Sequence, residues 1–528
     1  MAKKLTALIL TFMMAFTAMG LVACGGGDNK SDAFTVMFYD GGYGHDWLEE
    51  FVKEFVAEKK YGGDVSQVTS ADYKLTARED VAAYSTTIMK GKNCPDVIMA
   101  NAIKNDDISD GLIADLSDVY NTKVKTSNGE ISINDYIMPE SKMIFTRSFS
   151  FGGSDSRQWA IPWTAIPLSI AYNETLLNKI EHTTSGNAGD CVEDGRWSKA
   201  PTTFEELMTC FADIKAQGTV DGNKISAFGW SGKDGMLWFE SLIYIWWAQY
   251  QGLDESKIEG ENAFYDFFNL DTADKFKQTG IVKSLEHIQE MITGGGNFIN
   301  SYSDPSAITI KNYQPAFARG EMVFCLTGDF FAKEYKTILE NNKDKVNAKL
   351  MPVPAYDDVH NENYTFLNTT SCMYVPNNAK HKDMAKEFLA FINDEAHLIR
   401  FTELTGAIRP FGANNAADKA AMKAKYLAAK DWGDFEKSTF ELYFGCDDVV
   451  LAFPRNYETR GKNHEPSLIY TYKNARALSN DYWTIVDKMR TDSVQNIVIG
   501  NRDSLYETAV TYYKDLERNY EEYMIKSI

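Results

Sequence analysis

The stretch from Trp159 to Ile180, WAIPWTAIPLSIAYNETLLNKI, constrains the fold most strongly. Its segment 162–171 has no charged residue, and a helix is predicted to start at Thr175. Because Pro162 and Pro167 each push the preceding residue into an extended conformation, the segment is extended. A fully apolar extended run needs cover on both faces, so we expect it to lie deep in the protein.

Trp163 is predicted to differ from the other residues of this run, which are expected to pack in the core. It follows Ile161-Pro162 in a segment that is too rich in proline for a central sheet strand, since proline cannot donate to the ladder. The segment therefore predicts a buried crossing between two lobes, with the flat ring of Trp163 exposed at the crossing.

Length and composition indicate a large globular protein. The chain has 528 residues, of which 44% are hydrophobic and 24% charged, and this length favours two or more lobes. The formal net charge is −20. Such an acidic surface repels a phosphate backbone, which argues against a nucleic-acid partner but says little about a neutral ligand.

The N-terminus is predicted to be a targeting segment rather than part of the fold. Two lysines precede an uncharged run that ends in Leu21-Val22-Ala23-Cys24. This pattern resembles a bacterial lipoprotein signal over residues 1–23, in which Cys24 is lipidated and begins the mature chain. Residues 24–32 are then a flexible tether, and the acyl chains anchor the protein to the membrane. The alternative is a retained membrane-spanning anchor formed by the uncharged run.

The remaining cysteines number six, and their spacings match no zinc site. An even number outside the cell permits disulfides, but a chain of this size does not need them. We expect mostly buried free thiols, with a Cys191–Cys210 bridge as the alternative. The six are Cys94, Cys191, Cys210, Cys325, Cys372 and Cys446.

The start of the predicted fold is a strand, Phe34–Tyr39, followed by the Gly-rich turn Asp40–Gly44 and a helix capped by Asp46. This order is typical of an open α/β sheet, in which ligands bind beyond the carboxyl ends of the strands. The turn lacks the glycine spacing of a dinucleotide site, which argues against a nucleotide ligand.

Other segments give local predictions. Thr203 and Glu206 form a capping box that begins a helix ending near Gln217. Residues 183–199 are polar and are predicted to be an exposed insertion. The segment Phe366–Val375 is predicted to be one strand, and Trp246 and Trp247 are predicted to lie in a buried helix.

Common catalytic motifs are absent from the sequence. It contains no GxSxG elbow, HExxH, Walker loop or CxxC pair, and no two histidines are four residues apart. We therefore predict no metal, no cofactor and no enzymatic activity. A glycosidase-like pair among the 74 acidic residues is the alternative, although a solvated acidic surface explains them more simply.

The order of several segments resembles the extracellular solute-binding proteins of ABC importers, family 1, a group that includes sugar- and maltodextrin-binding proteins. The sequence departs from that family by extra length at 183–199 and over much of 412–466, and by Phe330 where sugar binders often carry Trp. The matching segments are YSTTIMKGKNCPDVIMA, GLIADL, AIPWTAIPLSIAYNETLL, PTTFEEL, FARGEMVFCLTGDFF and the block from Met373 to Pro410.

The resemblance implies an α/β, two-lobed periplasmic-binding-protein-like fold of type II, with a hinge between the lobes at crossings near 162–167, 355–366 and 409–413. Lobe I would comprise 33–162 and 362–408. Lobe II would comprise 163–361 and 409–528, the last part mainly helical with a final helix capped by Ser504. The implied function is carbohydrate binding in the cleft by a lipid-anchored monomer that delivers the sugar, expected to be an oligosaccharide, to ABC permease subunits.

Strand-end positions are the candidate ligand contacts, since aromatic rings cover the C–H faces of a sugar while carboxylates and amides bind its hydroxyls. Each has a structural alternative: core packing for Tyr39 and Phe330, a turn or N-cap role for Asp40 and Asp329, and an ion pair for Arg409. A non-sugar solute on the same scaffold, such as a peptide or charged metabolite, is the alternative ligand. The candidates are Tyr39, Asp40, Tyr43, Asn101, Trp163, Trp230, Asp329, Phe330 and Arg409.

Overall fold

The computed structural model describes residues 32–138, 141–142, 145–147, 157–230, 236–253, 263–264, 278–293 and 309–451. The predicted lipoprotein signal, Cys24, the predicted tether up to residue 31, and residues 452–528 of the predicted, mainly helical last part of lobe II lie outside the described residues. Among the helices within those ranges, none has the length and apolar composition needed to cross a membrane.

Eleven strands form the two main sheets, and four short antiparallel strand pairs accompany them in the described residues. These pairs join Lys123–Thr126 with Gly129–Ser132, Thr146–Arg147 with Arg157–Gln158, Val192–Glu193 with Arg196–Trp197, and Thr219–Val220 with Asn223–Lys224. The strands are β1 (Phe34–Phe38), β2 (Tyr73–Ala77), β3 (Val97–Ala100), β4 (Ile161–Pro162), β5 (Ile166–Asn173), β6 (Ser226–Gly229), β7 (Met322–Gly328), β8 (Ala348–Met351), β9 (Tyr364–Asn368), β10 (Cys372–Tyr374) and β11 (Asp448–Leu451).

Helices of very different lengths connect these strands. In chain order they are α1 (Asp46–Tyr61), α2 (Val81–Lys90), α3 (Asn105–Ser109), α4 (Ser117–Tyr120), α5 (Ile133–Tyr136), α6 (Glu174–Leu177), α7 (Phe204–Gln217), α8 (Met236–Gln251), α9 (Gly280–Thr293), α10 (Ile310–Ala318), α11 (Phe331–Glu334), α12 (Lys336–Asn341), α13 (Lys382–Phe391), α14 (Glu395–Thr405), α15 (Ala416–Ala429) and α16 (Asp434–Phe444).

The lobe I sheet has the strand order β2-β1-β3-β10-β4. Strands β1, β2 and β3 are parallel, and β10 runs antiparallel to both β3 and β4. Helix α1 buries its apolar stripe on this lobe, with the Phe55 ring centroid 5.7 Å from that of Phe34. The helix begins at Asp46 with His45 as N-cap and no side-chain cap, so the predicted Asp46 cap is wrong. Asp46 lies in the first turn, where a carboxylate favours the helix dipole.

The lobe II sheet is built around β5, which contains residues 166–171 of the apolar segment. Strand β7 pairs with β5 on one side, and β8 and then β9 pair with it on the other, in the overall order β6-β7-β5-β9-β11. Most of β5 is buried, as the absence of charge predicted. Pro167 is tolerated in this central strand because it lies near the strand's start, beside the short pairing with β9.

Three crossings between the lobes run side by side. The first, residues 163–165, joins β4 to β5, and the second, 369–371, joins β9 to β10. The third follows α14 and leads to α16, which packs on β8. Trp163 N–H donates to the Ser371 carbonyl at 3.2 Å, and Ala165 N–H donates to the Ile408 carbonyl at 3.0 Å. The crossings therefore form one hydrogen-bonded group of segments.

The second crossing lies later in the chain than predicted. Strand β9 pairs with β5 and β11 in lobe II, so the predicted crossing at 355–366 and the lobe boundary at 361 are misplaced. The predicted single strand Phe366–Val375 is instead parts of two strands in different sheets. The Asn368 side chain accepts hydrogen bonds from Thr370 N and Oγ1 at 3.1 and 2.8 Å, and this local turn ends β9.

The insertion at 183–199 is anchored rather than merely exposed. Its Trp197 is fully buried and donates from Nε1 to Asp213 at 2.9 Å. The same carboxylate accepts hydrogen bonds from the backbone N–H groups of Thr183 and Thr184, both at 2.9 Å. One buried acid on α7 thus fixes both ends of the insertion.

Three other predictions are confirmed. The capping box of Thr203 and Glu206 begins α7, which ends at Gln217. Trp246 and Trp247 are buried in α8. All six cysteines among the described residues are free, and all but Cys94 are buried.

Arg409 binds the crossings from within the protein. Its guanidinium is fully buried and donates to the Ile392 carbonyl at 2.5 Å, to Asn393 Oδ1 at 2.7 Å and to the Pro162 carbonyl at 3.5 Å. Burial lowers its pKa to about 9. The prediction that Arg409 points into the cleft is wrong, since its planar fork is directed at the carbonyl oxygens that end α13 and β4.

We expect Arg409→Ala to lower the free energy of unfolding by roughly 3 kcal/mol, because it leaves buried acceptors without a donor. Urea unfolding followed by tryptophan fluorescence measures the change. Arg400→Ala is the matched control, since Arg400 is 44% exposed and pairs with Glu50 and Glu403 at the surface, where such pairs contribute about 1 kcal/mol or less. Equal losses for the two variants would contradict the role assigned to Arg409.

Candidate ligand site between the lobes

The ends of strands from both lobes face each other across the crossings. In lobe I, the parallel strands β1, β2 and β3 end at one edge of the sheet. In lobe II, Gly328 at the end of β7 pairs with Leu168, and Asn368 at the end of β9 pairs with Ile166. Both strand ends therefore lie beside the start of β5, directly after the first crossing. This arrangement brings the loops after β1 and β3 toward the loop after β7.

An aromatic cluster joins the two lobes at the base of this cleft. The Tyr43 ring of lobe I makes edge-on contacts with Trp163, at 5.6 Å between centroids, and with Phe330 of lobe II, at 6.2 Å. The Trp163 ring stacks on Trp47 at 5.9 Å, and its Nε1 donates to the Ala100 carbonyl at 3.4 Å.

Trp163 has 0% of its surface exposed. The prediction of an exposed ring at the crossing is therefore wrong for this conformation, because Tyr43 and Trp47 cover both the edge and the face of the indole. The crossing itself is where the sequence placed it. The core alternative considered for Phe330 also fits its 7% exposure.

A buried hydrogen bond between Tyr43 and Asp329 connects the lobes directly, with the Tyr43 hydroxyl donating to Oδ1. Burial raises the pKa of Asp329 to about 7, while the Tyr43 hydroxyl and the backbone amides of Ile408 and Phe330 oppose the rise. Burial also raises the pKa of Tyr43. The second oxygen, Oδ2, is buried and has no hydrogen-bond partner among the described residues. Oδ2 of Asp329 can therefore accept one further hydrogen bond.

Asp40 shapes the turn that carries Tyr43. Its Oδ1 accepts hydrogen bonds from the backbone N–H groups of Gly42 at 3.1 Å and Gly44 at 3.0 Å, which is the turn role considered as the alternative. Gly42 has a φ of +87°, and a Cβ there would lie 3.1 Å from Glu334 Oε2 and 3.3 Å from Phe330 Cβ. Glycine therefore permits the close approach of this lobe I turn to lobe II.

The family is shown by the sequence itself. Residues 50–437 match the family model described as bacterial extracellular solute-binding protein. The chain belongs to this family. No curated protein matches the sequence.

Solved structures of similar shape support the two-lobed fold of this solute-binding protein. A solute-binding protein of an ABC transporter from Thermotoga lettingae, bound with α-D-tagatose, aligns with a TM-score of 0.58 at 14% identity, over 93% of this chain and 100% of that one. A Listeria monocytogenes ABC substrate-binding protein in complex with cycloalternan gives 0.56 at 15%, over 93% and 98%. The GacH receptor of Streptomyces glaucescens, studied with acarbose, gives 0.56 at 14%, over 93% and 99%.

Tyr39 and Asn101 remain accessible in this solute-binding protein. Tyr39 is half-buried at the end of β1, and burial together with the charges of Glu334, Asp40 and Glu79 raises its pKa. The Asn101 side chain is exposed, while its carbonyl accepts a hydrogen bond from Thr370 Oγ1 at 2.8 Å. These two residues present an aromatic ring and an amide to the cleft edge of lobe I.

Trp230 does not form an open platform. Its side chain is 4% exposed and packs on Phe239 of α8, with 5.8 Å between ring centroids. The expectation of a ligand platform is wrong for this conformation, because the apolar start of α8 covers the indole. The next residue, Ser231, lies outside the described residues.

The connection between β2 and α2 has no clear signal in the sequence. Strand β2, YKLTA, carries a weak strand signal between polar segments, so the sequence predicts neither β2 nor a role for Arg78. Tyr84 begins the matching segment YSTTIMKGKNCPDVIMA and a predicted helix, but nothing in that segment marks its side chain as a ligand contact. Arg78 and Tyr84 lie after this strand, and the Arg78 guanidinium sits 4.6 Å from the centre of the Tyr84 ring. Predicting that Arg78 and Tyr84 lie near the cleft would require the parallel pairing of β1 with β2, which only the three-dimensional fold reveals.

The Asp329 carboxyl predicts a pH dependence of stability. A carboxyl whose folded pKa of about 7 exceeds its ordinary value of 3.8 binds its proton more tightly in the folded state. Its contribution to stability is therefore complete below the ordinary value and is lost as the pH rises through about 7. We expect the wild type to lose stability relative to Asp329→Asn between about pH 4 and about pH 8, as measured by urea unfolding.

Tyr43→Phe is the control, because it removes the hydrogen bond that lowers the pKa of Asp329 but keeps the ring that buries it. This variant should retain the pH dependence. A difference between wild type and Asp329→Asn that is the same at both pH values would contradict the assignment.

Proposed function

We propose that this protein is the lipid-anchored receptor of an ABC importer, which binds a carbohydrate, an oligosaccharide, in the cleft and delivers it unchanged to the membrane permease. The observation that carries the proposal is the pair of facing strand ends. They present the half-buried ring of Tyr39 and the exposed amide of Asn101, with the buried Asp329 carboxyl directly after β7. Family membership supports solute binding outside the cytoplasm.

The chemistry of these groups suits a sugar. An aromatic ring packs against the C–H face of a sugar ring, while an amide and a carboxylate oxygen bind its hydroxyls. Solved proteins with this fold bind α-D-tagatose, cycloalternan and stachyose, and their likeness to this chain supports the same ligand class.

Closure of the lobes provides the transport signal in this proposal. A ligand that contacts both lobes favours the closed form because only that form offers all its contacts. The three short crossings, held together by backbone hydrogen bonds, are suited to act as the hinge. The permease subunits would then recognise the closed, ligand-bound receptor.

A cationic solute is the second candidate. Asp40, Glu79 and Glu334 all contribute negative charge at the Tyr39 hydroxyl, and a basic ligand would benefit from that field. A surface glycoside hydrolase is a weaker alternative. New reducing ends, appearing when the protein is incubated with its bound sugar, would favour the hydrolase over the receptor.

Ligand binding should raise the melting temperature of the mature chain, residues 24–528 with Cys24→Ser to prevent acylation. A ligand that binds only the folded state stabilises it by about 2.7 kcal/mol when present at 100 times its Kd. Differential scanning fluorimetry with mono- and oligosaccharides, and with basic amino acids and polyamines as the comparison panel, measures the shift. Stabilisation by the basic solutes alone would replace the sugar with the second candidate.

Cys24 should be the site of membrane attachment. In a bacterial host, Cys24→Ser is expected to abolish incorporation of labelled palmitate, because the thiol that would carry the acyl chain is lost. Cys94→Ser is the matched control and should leave labelling unchanged. Equal labelling of the Cys24→Ser variant and wild type would exclude the lipid anchor at this residue.

A further inference from the structure

A small exposed surface, which we call the rim pair, is formed by Arg78, directly after β2, and Tyr84, in helix α2. Tyr84 is 50% exposed, and no other Tyr, Trp or Phe side chain among the described residues is exposed to this extent. The Arg78 guanidinium covers the ring from 4.6 Å and is itself held by Asp80, at 2.5 Å from Nε. Tyr84 is therefore a half-exposed ring that Arg78 braces from one side.

The position of the rim pair follows from the strand order. Strand β2 is the edge strand farthest from β10 and β4, from which the crossings leave lobe I. Three strand spacings separate β2 from β10, which is about 14 Å at ~4.8 Å per strand. Since the hinge closes one side of the cleft, the residues after β2 lie toward its open mouth.

The rim pair is connected to the proposed ligand contacts by neighbouring groups. Arg78 N–H donates to the Phe38 carbonyl at 2.9 Å, which places Arg78 beside Tyr39. Lys104, three residues after Asn101, donates from Nζ to the Ala83 carbonyl at 2.7 Å, next to Tyr84. The carboxyl edge of lobe I thus runs from Tyr39 and Asn101 outward to the rim pair.

We propose that Tyr84 is a further binding residue, which stacks on a sugar unit at the outer end of an oligosaccharide whose inner unit contacts Tyr39 and Asn101. An exposed ring costs free energy in water unless a partner covers it, and bracing by Arg78 reduces the conformational entropy that is lost on binding. This inference rests on the proposed sugar-binding function and deepens it, since it requires a ligand of more than one ring. A short sugar that fills only the inner end leaves Tyr84 uncovered.

The test compares affinity with chain length. Binding of glucose, xylose and galactose, and of maltotetraose, xylotetraose and stachyose, is measured by isothermal titration calorimetry on the mature chain. We expect Tyr84→Ala to weaken the tetrasaccharide that binds wild type by about tenfold, as loss of an aromatic anchor does. The corresponding shorter sugar should change by about twofold or less, within the scatter of surface substitutions.

Two controls accompany this variant. Tyr84→Phe keeps the ring and should bind the tetrasaccharide as wild type does. Val65→Ala removes an exposed apolar side chain, 42% exposed, after the far end of α1, on the edge of lobe I opposite the cleft, and should change neither affinity.

The outcomes separate this inference from the function on which it rests. Wild-type protein that binds none of the saccharides overturns the proposed function. Wild-type protein that binds only monosaccharides overturns the inference and the oligosaccharide ligand, but not carbohydrate binding. A Tyr84→Ala variant that affects all chain lengths equally or not at all overturns the inference alone. If Tyr84→Ala changes no affinity, contact with the permease is the remaining role for the rim pair.

Discussion

The hydrogen bonds between the three crossings set the geometry on which every cleft residue depends. Trp163 donates to Ser371, and Ala165 donates to Ile408, both through backbone N–H groups. Arg409 adds a buried guanidinium that binds the carbonyl of Pro162. Because these contacts join segments of three residues or so, the lobes can rotate about them without losing the packing of either sheet.

The contacts between the lobes show which parts of the cleft a ligand can reach. At its base, Tyr43 is buried between Trp163 and Phe330 and donates to Asp329. Groups that already bind each other offer a ligand no additional contacts. Only a difference in the ligand's affinity for two conformations shifts the populations of those conformations. The accessible groups farther out, Tyr39 among them, are therefore where recognition is expected. Asp329 Oδ2 is buried and has no hydrogen-bond partner among the described residues.

The sequence predicted positions along the chain better than the surroundings of side chains. The run that became β5 was expected to be deep because it lacks charge, and strand ends were expected at the cleft because parallel strands share a carboxyl edge. Whether Trp163 is exposed depends on Trp47 and Tyr43, which lie more than a hundred residues earlier and are brought there only by folding.

The second crossing shows the same limit at the level of the backbone. Residues 366–375 have one continuous strand-like composition, and only the Asn368 side chain, which bonds Thr370, divides them between two sheets. Arg409 likewise could not be assigned from its neighbours in sequence, because its partner Pro162 is 247 residues away. Periodicity reports on one element at a time, and both features depend on contacts between elements.

A crystal structure of the mature chain with the saccharide that it binds most tightly tests the central claim most directly. We expect electron density for the sugar between the two sheets, within hydrogen-bond distance of Asn101 and in contact with the Tyr39 ring. A sugar bound to one lobe alone, away from the carboxyl edges of β1, β3 and β7, would contradict it.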